Sequence, residues 1–429
     1  MGMHFQTGSD AGATHPPPLS KTYAWLAFAL IIGLMLSDYL SRQVINAVFP
    51  FLKAEWAVSD AQLGSLVSIV ALVVGVMTFP VSLLADRGGR VRSATAMALM
   101  WGIATIGCGL AEGFATMLVA RAVVGLGEAG YGSAGGAILT HLFPPRLHST
   151  VMGAFLSAAL FGSVLGVVLG GVIAKSVGWH MAFITVGAGG LVLAVIFPLV
   201  VREPPATAPS GAPGMPLRDV FRELFRFPTV TYTYLASGLQ MFVQGSVIAW
   251  APSYLNRYYS LDPAQAGVRA GVLVLVAGVG MTVGGILVDR LSNDRRANRL
   301  RVPSLYALTS ALTLFAAFSM PAGTMQFWTI ALGLFLGAGF AGPSGAVVAD
   351  VTNPAIRATV FATLTLANNL IGLAPGPFLT GVLADLTSLD VAMRIIPTAG
   401  ILAAFFFFLG ARSYDNGRQH YATTRTAGA

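Results

Sequence analysis

Charge and cysteine are what this 429-residue chain has least of. Asp, Glu, Lys and Arg make up only 10% of it, where a soluble domain carries about 25%, so most of its surface cannot lie in water. A single cysteine, Cys108, allows no intrachain disulfide framework and no cysteine-based metal site. There are three lysines, Lys21, Lys53 and Lys175, and none follows a glycine as a phosphate-binding loop requires; Lys175-Ser176 comes after Ala174. ATP hydrolysis within the chain is therefore not expected. The six histidines (His4, His15, His141, His148, His180, His420) fall in tails or beside the ends of apolar runs, which argues against a zinc enzyme or a histidine relay. The net charge of +8 does not point to nucleic acid, because the basic residues stand singly or in short clusters next to apolar blocks. No metal, cofactor or catalytic residue is expected, and no enzymatic activity.

What the chain has in abundance is apolar sequence. Hydrophobic residues make up 55%, the mean hydropathy is +0.74, and runs such as 67–79 and 271–288 approach or reach the roughly 20 residues that cross a bilayer. Lipid offers no partner to an unpaired backbone group, so these runs are read as helices. Polar breaks divide them into twelve spans near 23–48, 61–85, 93–111, 114–142, 151–174 and 181–201, then 230–254, 266–288, 303–319, 326–351, 359–384 and 393–412. The expected fold is an all-α polytopic membrane protein of twelve transmembrane helices in two pseudo-symmetric six-helix bundles, 23–201 and 230–412. A cytoplasmic tail, 1–22, precedes them; its three consecutive prolines and lack of an apolar core argue against a signal peptide. The linker, 202–229, ends in an amphipathic surface helix over 217–227, and 413–429 forms a second cytoplasmic tail. With both ends cytoplasmic, and charges at span ends counted with the adjoining segment, 18 Lys and Arg lie on that side and 5 outside, while Arg42 and Arg121 lie deep within spans; that bias sets the orientation.

The halves repeat. Ala61-Gln62-Leu63-Gly64 and Ala85-Asp86-Arg87 bracket span two, and Ala264-Gln265-Ala266-Gly267 and Val288-Asp289-Arg290 bracket span eight at the same offset of 203. Parallel six-helix halves are a transporter architecture. Between spans two and three, Ser82-Leu83-Leu84-Ala85-Asp86-Arg87-Gly88-Gly89-Arg90-Val91-Arg92 resembles the signature of the major facilitator superfamily, departing where Ser82 replaces a glycine. Asp289 and Arg290 end its weaker copy. Arg121-Ala122-Val123-Val124-Gly125-Leu126-Gly127-Glu128-Ala129-Gly130-Tyr131 resembles a span-four segment of the spinster-like branch, with the anion:cation symporter branch as rival. The resemblance implies a secondary active transporter, with Asp86, Arg87, Gly89, Arg90, Asp289 and Arg290 as its gating motif.

A charge inside a span is expensive and by default functional. Arg121 and Glu128, seven residues apart, share a helix face, and Tyr131 lies one turn on; Asp38 and Arg42, four apart, share a face of span one. Glu128 and Asp38 are the expected proton carriers, and Arg42, Arg121 and Tyr131 the expected substrate contacts. The resemblance places an acid where this chain has Ser41, so Asp38 either reaches the same cavity or leaves Glu128 alone. In the second half Ser237, Gln240 and Gln244 form one polar stripe and Thr365, Asn368 and Asn369 another. Gln240, Gln244, Asn368 and Asn369 are expected neutral substrate contacts, with interhelical hydrogen bonding as the plainer reading. The small-residue run Gly162, Gly166, Gly170 and Gly171 on span five is expected to be close packing. Together these residues describe a proton-coupled carrier of a small or amphipathic organic anion, monomeric and in the plasma (inner) membrane, alternating access between two bundles. The spinster likeness also implies an exporter of lysolipid or sphingoid molecules. A non-transporting membrane sensor would need an output domain larger than a linker of about 28 residues.

Overall fold

The computed structural model describes residues 21–203, 224–292, 296–352 and 356–427, which are helical nearly throughout. Ten stretches among them are long and apolar enough to cross a bilayer. Two more complete the twelve: 114–142, interrupted at residues 129–130, and Pro228–Tyr258, whose apolar content is diluted by Thr, Ser, Tyr and Gln. Spans one to six are Lys21–Trp56, Asp60–Gly88, Arg90–Gly109, Phe114–Glu128 continued by Tyr131–Leu142, His148–Val177 and Trp179–Val200. Spans seven to twelve begin with Pro228–Tyr258, Pro263–Leu291 and Asn298–Phe318. Span ten is Thr324–Ala338 continued by Ala341–Asp350. Span eleven runs Arg357–Ala367, a π turn at Asn368–Leu373 and Pro375–Leu386, and span twelve is Leu389–Ile395 followed by Ala399–Ala427. The amphipathic helix expected over 217–227 lies mostly outside the described residues.

The sequence repeat becomes a repeat of helix boundaries. Asp60–Gly88 and Pro263–Leu291 begin and end at the same offset of 203, and the residues capping them, Ser59 and Asp262, are also 203 apart. Ser59 Oγ accepts the Gln62 N–H while the Gln62 side chain accepts the Ser59 N–H, a reciprocal capping box. Asp262 accepts the Ala264 and Gln265 N–H groups. The interruption of span four recurs in span ten, 210 residues on, where Gly339-Phe340 stands for Ala129-Gly130.

Spans one and five pack together, as do three and six, seven and twelve, and nine and ten; the two bundles meet along spans two and eleven and spans five and eight. Glycine makes the closest approaches possible. A Cβ on Gly166 would lie 2.6 Å from the Leu40 carbonyl oxygen, and one on Gly170 3.1 Å from that of Val44, so span five rests on the backbone of span one. Gly171, one residue on, faces the other bundle, where a Cβ would lie 2.7 Å from the Pro263 carbonyl. Overfilling such a contact costs about 1–3 kcal/mol. Gly166→Leu should therefore lower the melting temperature of purified protein by several degrees; an unchanged melt would show that span five can slide away.

The two faces of the bundle differ. On the face opposite the chain termini the bundles are tied together. Asp60 accepts both Arg257 guanidinium nitrogens, at 2.6 and 2.7 Å, and Lys53 at 2.6 Å. Asp385 accepts the Asp60 and Ala61 N–H groups, both at 2.8 Å, so a carboxylate from one bundle caps a helix of the other. Phe49 packs against Trp250 at 5.2 Å between centroids, and Lys175 pairs with Asp262 at 3.0 Å. On the termini face the bundles separate around a cavity.

Candidate functional site

The cavity holds about 630 Å³ and is walled by both bundles. Its charged residues come from the first bundle. Span one presents Asp38, Tyr39 and Arg42; the residues between them face elsewhere, since Ser41 is buried and its hydroxyl donates to the Asp38 carbonyl at 2.7 Å. Thr78 and Phe79 come from span two, Arg90 from the start of span three, and Glu128 from the point where span four breaks. Thr359, Phe361, Ala362 and Thr365 of span eleven close the opposite wall.

At the deep end, Arg42 Nε and Glu128 Oε2 are 3.3 Å apart. The Glu128 side chain is 3% exposed and that of Arg42 19%. Asp38 lines the same wall as Glu128, near enough for each carboxyl to feel the other's charge. Asp38 Oδ1, Arg42 Nη2 and both Glu128 carboxylate oxygens have no hydrogen-bond partner among the described residues, so Arg42 and Glu128 meet as an ion pair without a hydrogen bond. The guanidinium also lies 5.9 Å from the Tyr39 ring centroid. Two carboxyls thus converge on one guanidinium, and apart from Arg90 the rest of the wall is built of hydroxyl and apolar side chains.

Arg121, expected on the cavity wall, is not there. It is 1% exposed, and its guanidinium donates to the backbone carbonyls of Leu66 (3.1 Å), Ser41 (3.4 Å) and Arg42 (3.1 Å). Those three carbonyls belong to spans one and two, so Arg121 clamps three helices together. Sharing a face with Glu128 sets direction but not depth: two turns of helix separate a cavity residue from a buried one. Arg121→Ala should lower the melting temperature markedly, since a charged hydrogen bond contributes about 1.5–3 kcal/mol. Glu128→Gln should not rescue it, because Glu128 is held by Arg42; a thermal-melt cycle showing strong coupling between positions 121 and 128 would refute this.

Tyr131 also leaves the cavity. It is fully buried, its ring meets Trp101 and Phe155, and its hydroxyl donates to the Ile31 carbonyl at 2.9 Å. Gln240 and Gln244 donate to the Gly337 and Leu334 carbonyls, each at 3.1 Å, which ties span seven to span ten. Ser237 donates to Asn368 Oδ1 at 2.6 Å, and Asn369 donates to the Thr365 carbonyl at 2.9 Å. Of the two polar stripes, Thr365 alone reaches the cavity wall. In the signature, the side chains of Asp86 and Arg87 lie outside the described residues. Gly89 has φ +94°, a conformation that favours glycine, and Asp289 and Arg290 are exposed at the end of span eight. Sequence reasoning missed Tyr39, Thr78 and Arg90 as cavity residues. Thr78 carried a signal, a hydroxyl within the apolar run that follows Ser68 in span two; Arg90 was absorbed by its motif.

A cavity between two like six-helix bundles, shut at one face and reaching the other, is the working part of a membrane transporter. The family model described as Major Facilitator Superfamily matches residues 31–340, and the chain belongs to that superfamily of transporters. It is 28% identical to Protein spinster homolog 1 of Bos taurus, over 92% of this chain and 81% of that one. It is 25% identical to an MFS-type efflux pump of Mycolicibacterium smegmatis, over 91% and 92%, and 24% to the hexuronate transporter of Bacillus subtilis, over 89% and 92%. Among solved structures it resembles a bacterial homologue of the human lysosomal transporter spinster, in an inward-facing and unoccupied conformation, with a TM-score of 0.84, 25% identity, and 93% of this chain and 99% of that one covered.

Proposed function

We propose that this transporter carries a small or amphipathic organic anion together with protons, by exposing the cavity alternately at the two faces. The observation that carries the reading is the Arg42–Glu128 pair at the cavity's deep end with Asp38 beside it. With both carboxyls ionised the cluster holds a net charge of −1 inside the membrane, which is costly; one proton balances it. A proton on Glu128 also releases Arg42, whose guanidinium can then take a carboxylate, sulfonate or phosphate. When Glu128 ionises it reclaims Arg42 and competes with the substrate. Proton and anion therefore favour each other's binding, and by linkage the preference is reciprocal. Asp38 serves as the second acid of the pair.

The 18-to-5 bias of Lys and Arg supports placing the termini in the cytoplasm of a plasma-membrane protein, so the cavity opens inward and the Asp60–Arg257–Asp385 cluster seals the outside. The size and apolar walls of the cavity, with Met35, Val74, Phe79 and Phe361, also support the second reading, export of lysolipid or sphingoid-type molecules. The deciding experiment is uptake of a panel of labelled organic acids into proteoliposomes with and without an imposed pH gradient. Gradient-dependent accumulation of at least one anion is expected. Movement of single-chain lipids alone, independent of the gradient, would replace the first reading with the second.

A further inference from the structure

The signature loop holds three arginines, and topology alone asks only that they stay out of the membrane. The structure treats two of them differently. Arg90 and Arg92 are two residues apart at the start of span three, hence roughly 200° apart around the helix. Arg90 lies on the cavity wall, whereas Arg92 lines a separate groove between spans three and six with Thr95, Leu99, Pro198 and Glu203. The start of span three is fixed in place. Gly89 turns the chain with φ +94°, and the Glu203 carboxylate accepts the Val91 N–H at 3.0 Å and the Arg92 N–H at 3.3 Å. Arg90 makes no ion pair among the described residues, unlike Arg42.

Arg90 stands far from that deep cluster. Glu203 holds the start of span three, and the neighbouring Arg202 N–H donates to the Tyr23 hydroxyl at 2.9 Å, so Arg90 sits level with the beginning of span one. From Tyr23 to Arg42 is roughly 28 Å of helix at 1.5 Å per residue. Among the described residues the cavity therefore has a guanidinium without an ion-pair partner at its mouth and a cluster of one guanidinium and two carboxyls at its end, with low-dielectric walls between that focus the field.

We propose that Arg90 is an entry station for organic anions: a guanidinium at the cavity mouth, without an ion-pair partner among the described residues, that concentrates anions there and turns cations away before either reaches Arg42. The ligand class rests on the proposed function; the electrostatic claim does not. Glu203 is its positioning residue, holding the turn that aims Arg90 inward.

The test needs no substrate. Gly132 lies on the same wall, one turn from Glu128, with open space where a Cβ would go, and the native Cys108 is buried. In a Cys108→Ala background, Gly132→Cys is treated in detergent with an anionic sulfonatoethyl and a cationic trimethylammonium-ethyl methanethiosulfonate, and the ratio of their rates is read. A unit charge about 20 Å away at an effective dielectric between about 40 and 80 changes the ratio of two oppositely charged probes roughly two- to four-fold at low salt. Arg90→Gln should lower the anion-to-cation ratio by about that factor, Arg90→Lys should restore it, and Arg92→Gln should leave it alone; added salt should shrink the difference. A ratio unchanged by Arg90→Gln, or lowered equally by Arg92→Gln, overturns the proposal. If Arg90→Gln does not fold, Arg90→His read at pH 5.5 and pH 8 makes the same comparison within one protein; a pH dependence identical to that of the Arg90 protein is then the overturning result. Were the ratios to behave as expected while no organic acid is transported, the ligand class would fall and the entry field would stand. Were acids transported with ratios unmoved, this inference alone would fall.

Discussion

Glu128→Gln is expected to abolish concentrative transport while leaving exchange intact. Glutamine keeps the size of the side chain and mimics its protonated form, so Arg42 stays released and the anion site stays formed. Substrate should bind and exchange across the membrane of proteoliposomes at close to the native rate. The variant carries no proton on Glu128 to release, so a pH gradient has no purchase on it, and accumulation above the equilibrium level should fall by an order of magnitude or more. Arg42→Ala should behave differently, losing exchange as well, because it removes the group proposed to meet the anion. Accumulation in Glu128→Gln with its pH dependence unchanged would remove Glu128 from the coupling role. Asp38, which lies beside it on the same wall, would inherit the role, and Asp38→Asn should then carry the defect.

The fold was legible because its signals are local and repeated. The pairs Ala85-Asp86-Arg87 and Val288-Asp289-Arg290 stand 203 residues apart, and the helices they end are equal in length and capped at equivalent positions. Apolar runs must be helical in lipid, so composition alone comes close to dictating secondary structure. The site was legible by half. Spacing put Asp38 with Arg42 on one face of a helix, and both line the cavity with Glu128. Spacing also put Arg121 and Tyr131 with Glu128, yet these two are buried in helix contacts. A helix face tells which neighbours a residue can meet, and whether the neighbour is a cavity or a carbonyl depends on how deeply the next helix packs. The same limit applies to Gln240 and Gln244, whose amides found the carbonyls of span ten. The cluster opposite the termini was invisible for another reason: its members, Asp60, Arg257 and Asp385, are separated by up to 325 residues, and each reads on its own as an ordinary charge at the end of a span.

That cluster carries the second large effect. If the bundles rock, it exists in one state of the cycle and is broken in the other, so weakening it shifts the balance between them. Asp60 is 4% exposed at its side chain, while Arg257 is 26% and Lys53 40% exposed. Removing one partner of a fully buried pair costs about 3–5 kcal/mol; with two partly hydrated cations about 1–3 kcal/mol is the fitting range. Asp60→Asn should therefore favour the state open on that face roughly 5- to 150-fold, since 1.4 kcal/mol is a factor of ten. Asp385→Asn should shift it less. The amide oxygen still accepts from one of the Asp60 and Ala61 N–H groups, so one hydrogen bond, about 0.5–1.5 kcal/mol, and the charge against the helix end, about 0.3–1 kcal/mol, are lost. The Lys175–Asp262 pair, 53% and 31% exposed, should matter least, as exposed pairs do. Spin labels at Val177 and Thr387, exposed positions on the two bundles beside this face, would report the distance between them by pulsed resonance in the Cys108→Ala background. The distance distribution should lengthen in the order Asp60→Asn, Asp385→Asn, Asp262→Asn. An unchanged distribution in Asp60→Asn would mean that apolar packing, with Phe49 against Trp250 at its centre, holds the face closed without help from the charges.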